Sequence, residues 1–269
     1  MQSPTYTDKF VNANGLRLHY QDWGDPHAPD VLLVHGWSTS APIWHEIAED
    51  LSRDYHVIVP DNRGNGESEV PSVGYRISDY ADDLVGLIDA IGLAGPTLVG
   101  SSWGGNIGTY MAAEHPELIS GAVLADPVYW KMIDAFATVV PKVTGRLDRP
   151  EGEVRGEALS AGATPERAER EVYINYHFSP EMLRRISIEN RDWALECEGF
   201  LARASVPTLL LVADPGAGGY ISEVERRHLT SVSSANVEVR MWEGIGHLMH
   251  GEAPDRFVKE LRDYLTSLS

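Results

Sequence analysis

The segment Gly100-Ser101-Ser102-Trp103-Gly104 places a hydroxyl between two glycines, directly behind an apolar run at 96–99. A serine at a sharp strand-to-helix turn is held in a strained backbone conformation, and small residues on either side let strand and helix pass closely. Such a turn exposes the Ser102 Oγ above a sheet. A helix opening at Trp103 aims its free N–H groups and positive dipole end at the place where negative charge develops in acyl transfer. The residues therefore suit nucleophilic catalysis, provided that strands and helices hold them in place.

Asn14-Gly15 between alternating apolar residues predicts an opening antiparallel hairpin. Residues 31–35 and 57–60 are short, apolar and β-branched, as strands covered on both faces should be, and Ile43, Trp44, Ile47, Ala48 and Leu51 between them follow helical spacing. The alternation continues with a helix at 77–91, a strand at 97–99, a helix at 103–114 and a strand at 121–125. It resumes with a strand at 208–213, a helix at 222–230, a strand at 237–242 and a helix at 255–268. This rhythm predicts an α/β protein whose mostly parallel sheet is wrapped by helices, with ligands at the carboxyl ends of the strands. Residues 127–206 break the rhythm. Helical stretches around 128–140, 165–177 and 180–199, separated by a Gly/Pro/charge-rich segment at 141–162, read as an inserted helical cap on a core made of residues 1–126 and 207–269.

At 269 residues the chain is long enough for one large domain with an insertion. Hydrophobic residues at 43% and charged residues at 23% are ordinary for a globular protein. Acids outnumber bases 40 to 22, and the formal net charge of −18 argues against nucleic-acid or membrane partners. Cys197 is the single cysteine, which excludes an internal disulfide and a cysteine-based zinc site. The start of the chain lacks a signal-peptide pattern and no apolar run is long enough to span a bilayer, so a soluble, cytoplasmic protein is expected.

Several motifs occur together in one order. His35-Gly36-Trp37 ends an early strand, Asp61-Asn62-Arg63-Gly64-Asn65-Gly66-Glu67-Ser68 follows the next, the Ser102 turn comes third, and Gly246-His247 with Glu252-Ala253-Pro254 follows the last strand. Together they resemble the α/β-hydrolase superfamily over nearly the whole length outside the insertion. The resemblance implies that His247 is the base that activates Ser102, with His250 as its nearest rival. It also implies an oxyanion hole from the backbone N–H groups of Trp37 and Trp103, with His35 supporting that loop and Arg63 bracing a turn. The carboxylate has two candidates. Many relatives carry it three residues past a strand that here ends at Ala213, where this chain has Gly216; others carry it directly after the strand that here is 121–125, where this chain has Asp126. Asp126 is preferred and Asp214, which also reads as a turn residue, is the alternative.

The implied reaction is hydrolysis of a carboxylic ester or lactone of a small hydrophobic substrate through an acyl-enzyme, with no metal or organic cofactor. Trp37, Trp103, Val128, Tyr129 and Trp130 are the expected substrate-binding residues. Two alternatives stay open: carbon–carbon bond hydrolysis of a ring-cleavage product with the same triad, and a slow-turnover ligand receptor that keeps the pocket.

Overall fold

The computed structural model describes residues 6–129 and 140–268. Eight strands form one sheet: β1 (Tyr6–Ala13), β2 (Leu16–Trp23), β3 (Asp30–Val34), β4 (His56–Pro60), β5 (Thr97–Ser101), β6 (Gly121–Ala125), β7 (Thr208–Ala213) and β8 (Val237–Trp242). Their order across the sheet is β1-β2-β4-β3-β5-β6-β7-β8. β1 pairs antiparallel with β2 through the Asn14-Gly15 turn, and β2 pairs antiparallel with β4. The remaining neighbours are parallel, so β3, β5, β6, β7 and β8 all deliver their carboxyl ends to one edge. Both Asn14 and Gly15 take positive φ, the backbone that a two-residue hairpin turn of this kind requires.

The helices of the core are α1 (His45–Leu51), α2 (Ile77–Ile91), α3 (Trp103–Glu114), α8 (Glu223–Val232), α9 (Met249–Glu252) and α10 (Pro254–Ser267); α4 (Glu151–Ser160), α5 (Pro165–Tyr176), α6 (Pro180–Glu189) and α7 (Trp193–Arg203) lie between β6 and β7 in the chain. Strand residues alternate between two apolar cores, because successive side chains point to opposite faces. Leu32, Val34, Leu124 and Leu210 join the layer with α2 and α3. Val31, Leu33, Val123 and Leu211 join the layer with α1 and α10. In α10 the buried Phe257, Leu261 and Leu265 recur every four residues, a single stripe that fixes its orientation. The inserted helices are continuous with the first core: Leu183, Ile186, Trp193 and Leu201 cluster with Tyr80 and Trp103.

The structure departs from the sequence reading inside the insertion. The segment 141–162, expected as a separator, contains α4. Only Val154 of that helix is buried, so it has no apolar stripe to read; ion pairs from Arg149 to Glu157 (2.6 Å) and from Arg155 to Glu169 (2.5 Å) tie it to its neighbours. The single helix expected over 180–199 is two, broken at Asn190. That side chain bonds the core as well as its own helix: its Oδ1 accepts from Ile77 N at 2.8 Å, and its Nδ2 donates to Tyr75 O at 2.7 Å and to Ile186 O at 2.9 Å. Of the helix expected around 128–140, residues 130–139 lie outside the described residues, and so do Trp130, Met132 and Phe136.

A buried ion pair locks the turn after β4. Arg63 donates to both oxygens of Asp83 on α2, at 2.6 and 2.5 Å, with both side chains less than one-tenth exposed. Removing one partner strands the other charge away from water. Asp83→Ala is therefore expected to lower stability by about 3–5 kcal/mol in urea denaturation; a loss under ~0.5 kcal/mol, the size of an ordinary surface change, would contradict that reading. No helix among the described residues is long and apolar enough to cross a membrane.

Candidate active site

Ser102 sits between β5 and α3 with φ 55° and ψ −113°. It is one of three described non-glycine residues at positive φ; the others are Asn14 and Asp126. Strain of this kind persists only where the surroundings enforce it. Here the Ser102 N–H donates to Ala125 O at 2.9 Å, and the glycines on either side permit contacts that no side chain could. A Cβ on Gly100 would lie 2.1 Å from Gly104 O, and one on Gly104 would lie 2.2 Å from Val34 O. Gly100→Ala must push β5 from α3 and should cost at least about 1–3 kcal/mol together with most catalytic turnover; thermal unfolding and a rate assay on the same sample check both.

Asp126 follows β6 and is fully buried. Its Oδ1 accepts from Ala213 N at 3.1 Å, and its Oδ2 accepts from Tyr220 N at 3.1 Å and from His247 Nδ1 at 2.7 Å. Three donors thus hold one carboxylate in a fixed orientation, the condition under which a buried charge is tolerated. His247 comes from the loop after β8 and is partly exposed. The Tyr220 ring stands edge-on to it, with centroids 4.4 Å apart and planes at 85°. Tyr220 was missed by sequence reasoning, since both of its services, a backbone N–H and a ring edge, depend on a loop whose path no motif announces. That path runs close to β7: a Cβ on Gly219 would lie 2.6 Å from Ala213 O.

Asp214 is placed otherwise. Its Oδ1 accepts from Gly216 N at 2.7 Å and its Oδ2 from Gly244 N at 2.8 Å, so the carboxylate clamps two turns together. These N–H groups, Gly244 first, hold its pKa below the usual carboxylate range. His250 is buried, with its ring 4.5 Å from that of Trp44, and burial pushes its pKa down to about 3, with His247 adding to the effect. It remains a neutral packing group at ordinary pH.

The loop after β3 approaches the serine from the other side. A Cβ on Gly36 would lie 3.4 Å from Ser102 Cβ and 3.7 Å from its Oγ. His35 orients this loop. Its Nε2 accepts from Asn62 N at 2.9 Å, which leaves the hydrogen on Nδ1 to be donated to Gly36 O at 2.7 Å. Burial holds the His35 pKa below its ordinary value, against the pull of Asp61, so the ring stays neutral as this pattern requires. Thr39 Oγ1 also donates to Gly36 O, at 3.2 Å. A trans peptide is planar with its C=O and N–H opposed, so pinning Gly36 O fixes the direction of the Trp37 N–H. Trp103 occupies the first position of α3, where no carbonyl of an earlier turn is available to its N–H.

The indole rings of Trp37 and Trp103 meet edge-on with centroids 6.0 Å apart; Trp37 is half-buried, whereas Trp103 is 1% exposed and also packs on Tyr80. Val128 and Tyr129 are buried in the core, with the Tyr129 hydroxyl 2.8 Å from Thr109 Oγ1 on α3. A cavity of about 760 Å³ opens between the inserted helices and the core, reached by Leu248 and His250 and carrying Arg146, Arg170, Glu46 and Glu171 on its walls; Ser102, Trp37 and His247 are not among the residues that line it.

A family profile described as alpha/beta hydrolase fold matches residues 29–209. A non-heme chloroperoxidase from Streptomyces lividans is 36% identical over 120 residues, a match that spans 44% of this chain and 44% of that protein. A haloalkane dehalogenase from Bradyrhizobium diazoefficiens is 27% identical over 284 aligned positions, covering 91% of this chain and 90% of that protein. The crystal structure of the enol-lactonase from Burkholderia xenovorans LB400 superposes with a TM-score of 0.74 at 23% identity, over 96% of this chain and 100% of that one. That last likeness is one of fold.

Proposed function

We propose, from the premise that this chain belongs to the alpha/beta hydrolase fold family, that it is a serine hydrolase acting on a carboxylic ester or lactone of a small hydrophobic substrate. The observation that carries this reading is the Asp126–His247 hydrogen bond of 2.7 Å, formed at the same sheet edge as the strained Ser102. An imidazole that donates Nδ1–H to a carboxylate keeps Nε2 free to accept a proton. In the proposed cycle Ser102 Oγ attacks the carbonyl carbon while its proton passes to His247 Nε2. The negative charge on the carbonyl oxygen is received by the N–H groups of Trp37 and Trp103. His247 then returns the proton to the departing alkoxide, and the acyl group remains on Ser102 as an ester. Water, deprotonated by the same imidazole, attacks that ester; the acyl–Oγ bond breaks, His247 returns the proton to Ser102 Oγ, and the acid is released. None of these steps calls on a metal or an organic cofactor.

The serine also separates this chain from its dehalogenase relative in chemistry. Alkyl displacement in this fold employs an aspartate nucleophile, and position 102 carries a hydroxyl. The half-buried Trp37 ring, edge-on to that of Trp103 next to the serine in sequence, supports an apolar acyl or alkoxy group, and the insertion at 127–206 is proposed to form the roof that selects it. Stopped-flow mixing with p-nitrophenyl butyrate tests the acyl-enzyme: the expected result is a burst of one p-nitrophenolate per enzyme, followed by slower turnover. A companion panel of lactones and ring-cleavage β-diketones ranks the substrate class. Failure to cleave any ester or lactone, with cleavage of a diketone instead, would replace this reading by the carbon–carbon hydrolase.

A further inference from the structure

The oxyanion loop has a second tether, from a residue to which the proposed reaction assigns no part. Asn65 lies in the turn after β4 and is 2% exposed. Its Nδ2 carries two hydrogens, and both are donated into the loop that holds Trp37: one to Trp37 O at 2.5 Å, the other to Thr39 O at 2.9 Å. The loop carbonyls at 36, 37 and 39 are thus all engaged by side chains, with His35 and Thr39 on the first and Asn65 on the other two.

Asn65 itself stands on a rigid base. Its N–H donates to Asn62 O at 3.0 Å and its carbonyl accepts from Ser68 N at 3.1 Å. On its other side the chain forms an antiparallel bridge with the inserted segment: Gly66 N donates to His177 O and Ser179 N donates to Gly64 O, both at 2.8 Å, with Asn65 opposite Phe178. The glycines beside it admit no side chain, since a Cβ on Gly64 would lie 2.7 Å from Met182 and one on Gly66 would lie 2.0 Å from the Asp61 carboxylate. A side chain fixed from both flanks is suited to fixing something else.

We propose that Asn65 is a positioning residue for the oxyanion hole, holding the Trp37 and Thr39 carbonyls so that the Trp37 N–H is aligned before the tetrahedral intermediate forms. The inference rests on the serine-hydrolase reading above. Donors that stabilise a developing oxyanion act because they need no reorganisation during the reaction. Without the Asn65 amide the loop keeps only the tether at Gly36 O, so the 36–37 peptide retains its partners but the segment that carries it is no longer held in place, and the Trp37 N–H shifts from its aligned position. Substrate binding in the ground state depends little on that N–H, so the cost falls on kcat.

The test compares wild type, Asn65→Ala and the nearly isosteric Asn65→Asp, each counted by fluorophosphonate titration of its reactive serine so that rates refer to folded enzyme. The expected result is a fall in kcat of about 10²–10³-fold for both variants, the size seen when one oxyanion donor is lost, with KM within about twofold. A trifluoromethyl ketone, which forms a tetrahedral adduct on serine, should weaken in parallel with kcat, because it reports affinity for the transition-state geometry. A residue that only maintained the fold would lower the titratable fraction and leave kcat and ketone affinity per site unchanged, and that outcome in either variant would overturn the proposal. Absence of fluorophosphonate labelling in wild type would instead sink the serine-hydrolase reading, so the two failures are distinct.

Discussion

Asp126→Asn is expected to remain folded, at a cost of about 1–3 kcal/mol for one buried N–H left without an acceptor, and to lose about 10⁴ in kcat, the cost of presenting a catalytic histidine in the wrong tautomer. The surroundings of the carboxylate make this an unforgiving site. Both oxygens accept backbone N–H groups, from Ala213 on one side and Tyr220 on the other, and the second also accepts His247. An amide has one oxygen for these two directions. With its oxygen toward Ala213, the NH₂ faces both Tyr220 N–H and the imidazole, which must shift its hydrogen to Nε2 and cease to act as a base. With its oxygen toward His247, the NH₂ confronts Ala213 N–H instead and β7 must yield. Asp214→Asn should stay within a few-fold of wild type, since its carboxylate serves two turns and the imidazole is held elsewhere. Steady-state kinetics on the two variants decide the matter: a crippled Asp214→Asn beside a near-normal Asp126→Asn would reverse the assignment.

Ser102→Ala is expected to remove about 10⁶ in kcat, the scale at which loss of a serine nucleophile is felt when its partners remain. The burst of p-nitrophenolate should vanish altogether, while the residual rate stays above that of water because the proposed oxyanion donors are backbone groups that the substitution leaves in place. Stability should hold or rise slightly, since sites that hold strained functional residues are rarely optimised for folding. Calorimetry and burst kinetics on the same preparation separate the two effects.

The core elements were legible because their physics is local. Strands such as Gly121–Ala125 are apolar at every position because both faces are covered, and Ile77–Ile91 shows one apolar stripe closed by Gly92 in the left-handed conformation. The insertion was less legible. The helix Glu151–Ser160 is stabilised by charges that its own periodicity does not reveal, and the break at Asn190 is set by bonds to Tyr75 and Ile77, more than a hundred residues away in sequence. The same distinction applies at the site. Ser102 and the histidine loop carry recognisable local patterns, whereas the choice between Asp126 and Asp214 turns on where a loop from the end of the chain comes to rest. Tyr220 and Asn65 act on the site through contacts with segments remote in sequence, and residue type alone gave no sign of either.

The most direct measurement is peptide mapping of the intact protein after reaction with a fluorophosphonate. Mass spectrometry of the digest should find a single phosphonyl group on the peptide containing Ser102, with labelling lost in Ser102→Ala and slowed in His247→Ala. A protein that stays unlabelled, or an adduct on any other residue, would contradict the claim that Ser102 is the activated nucleophile.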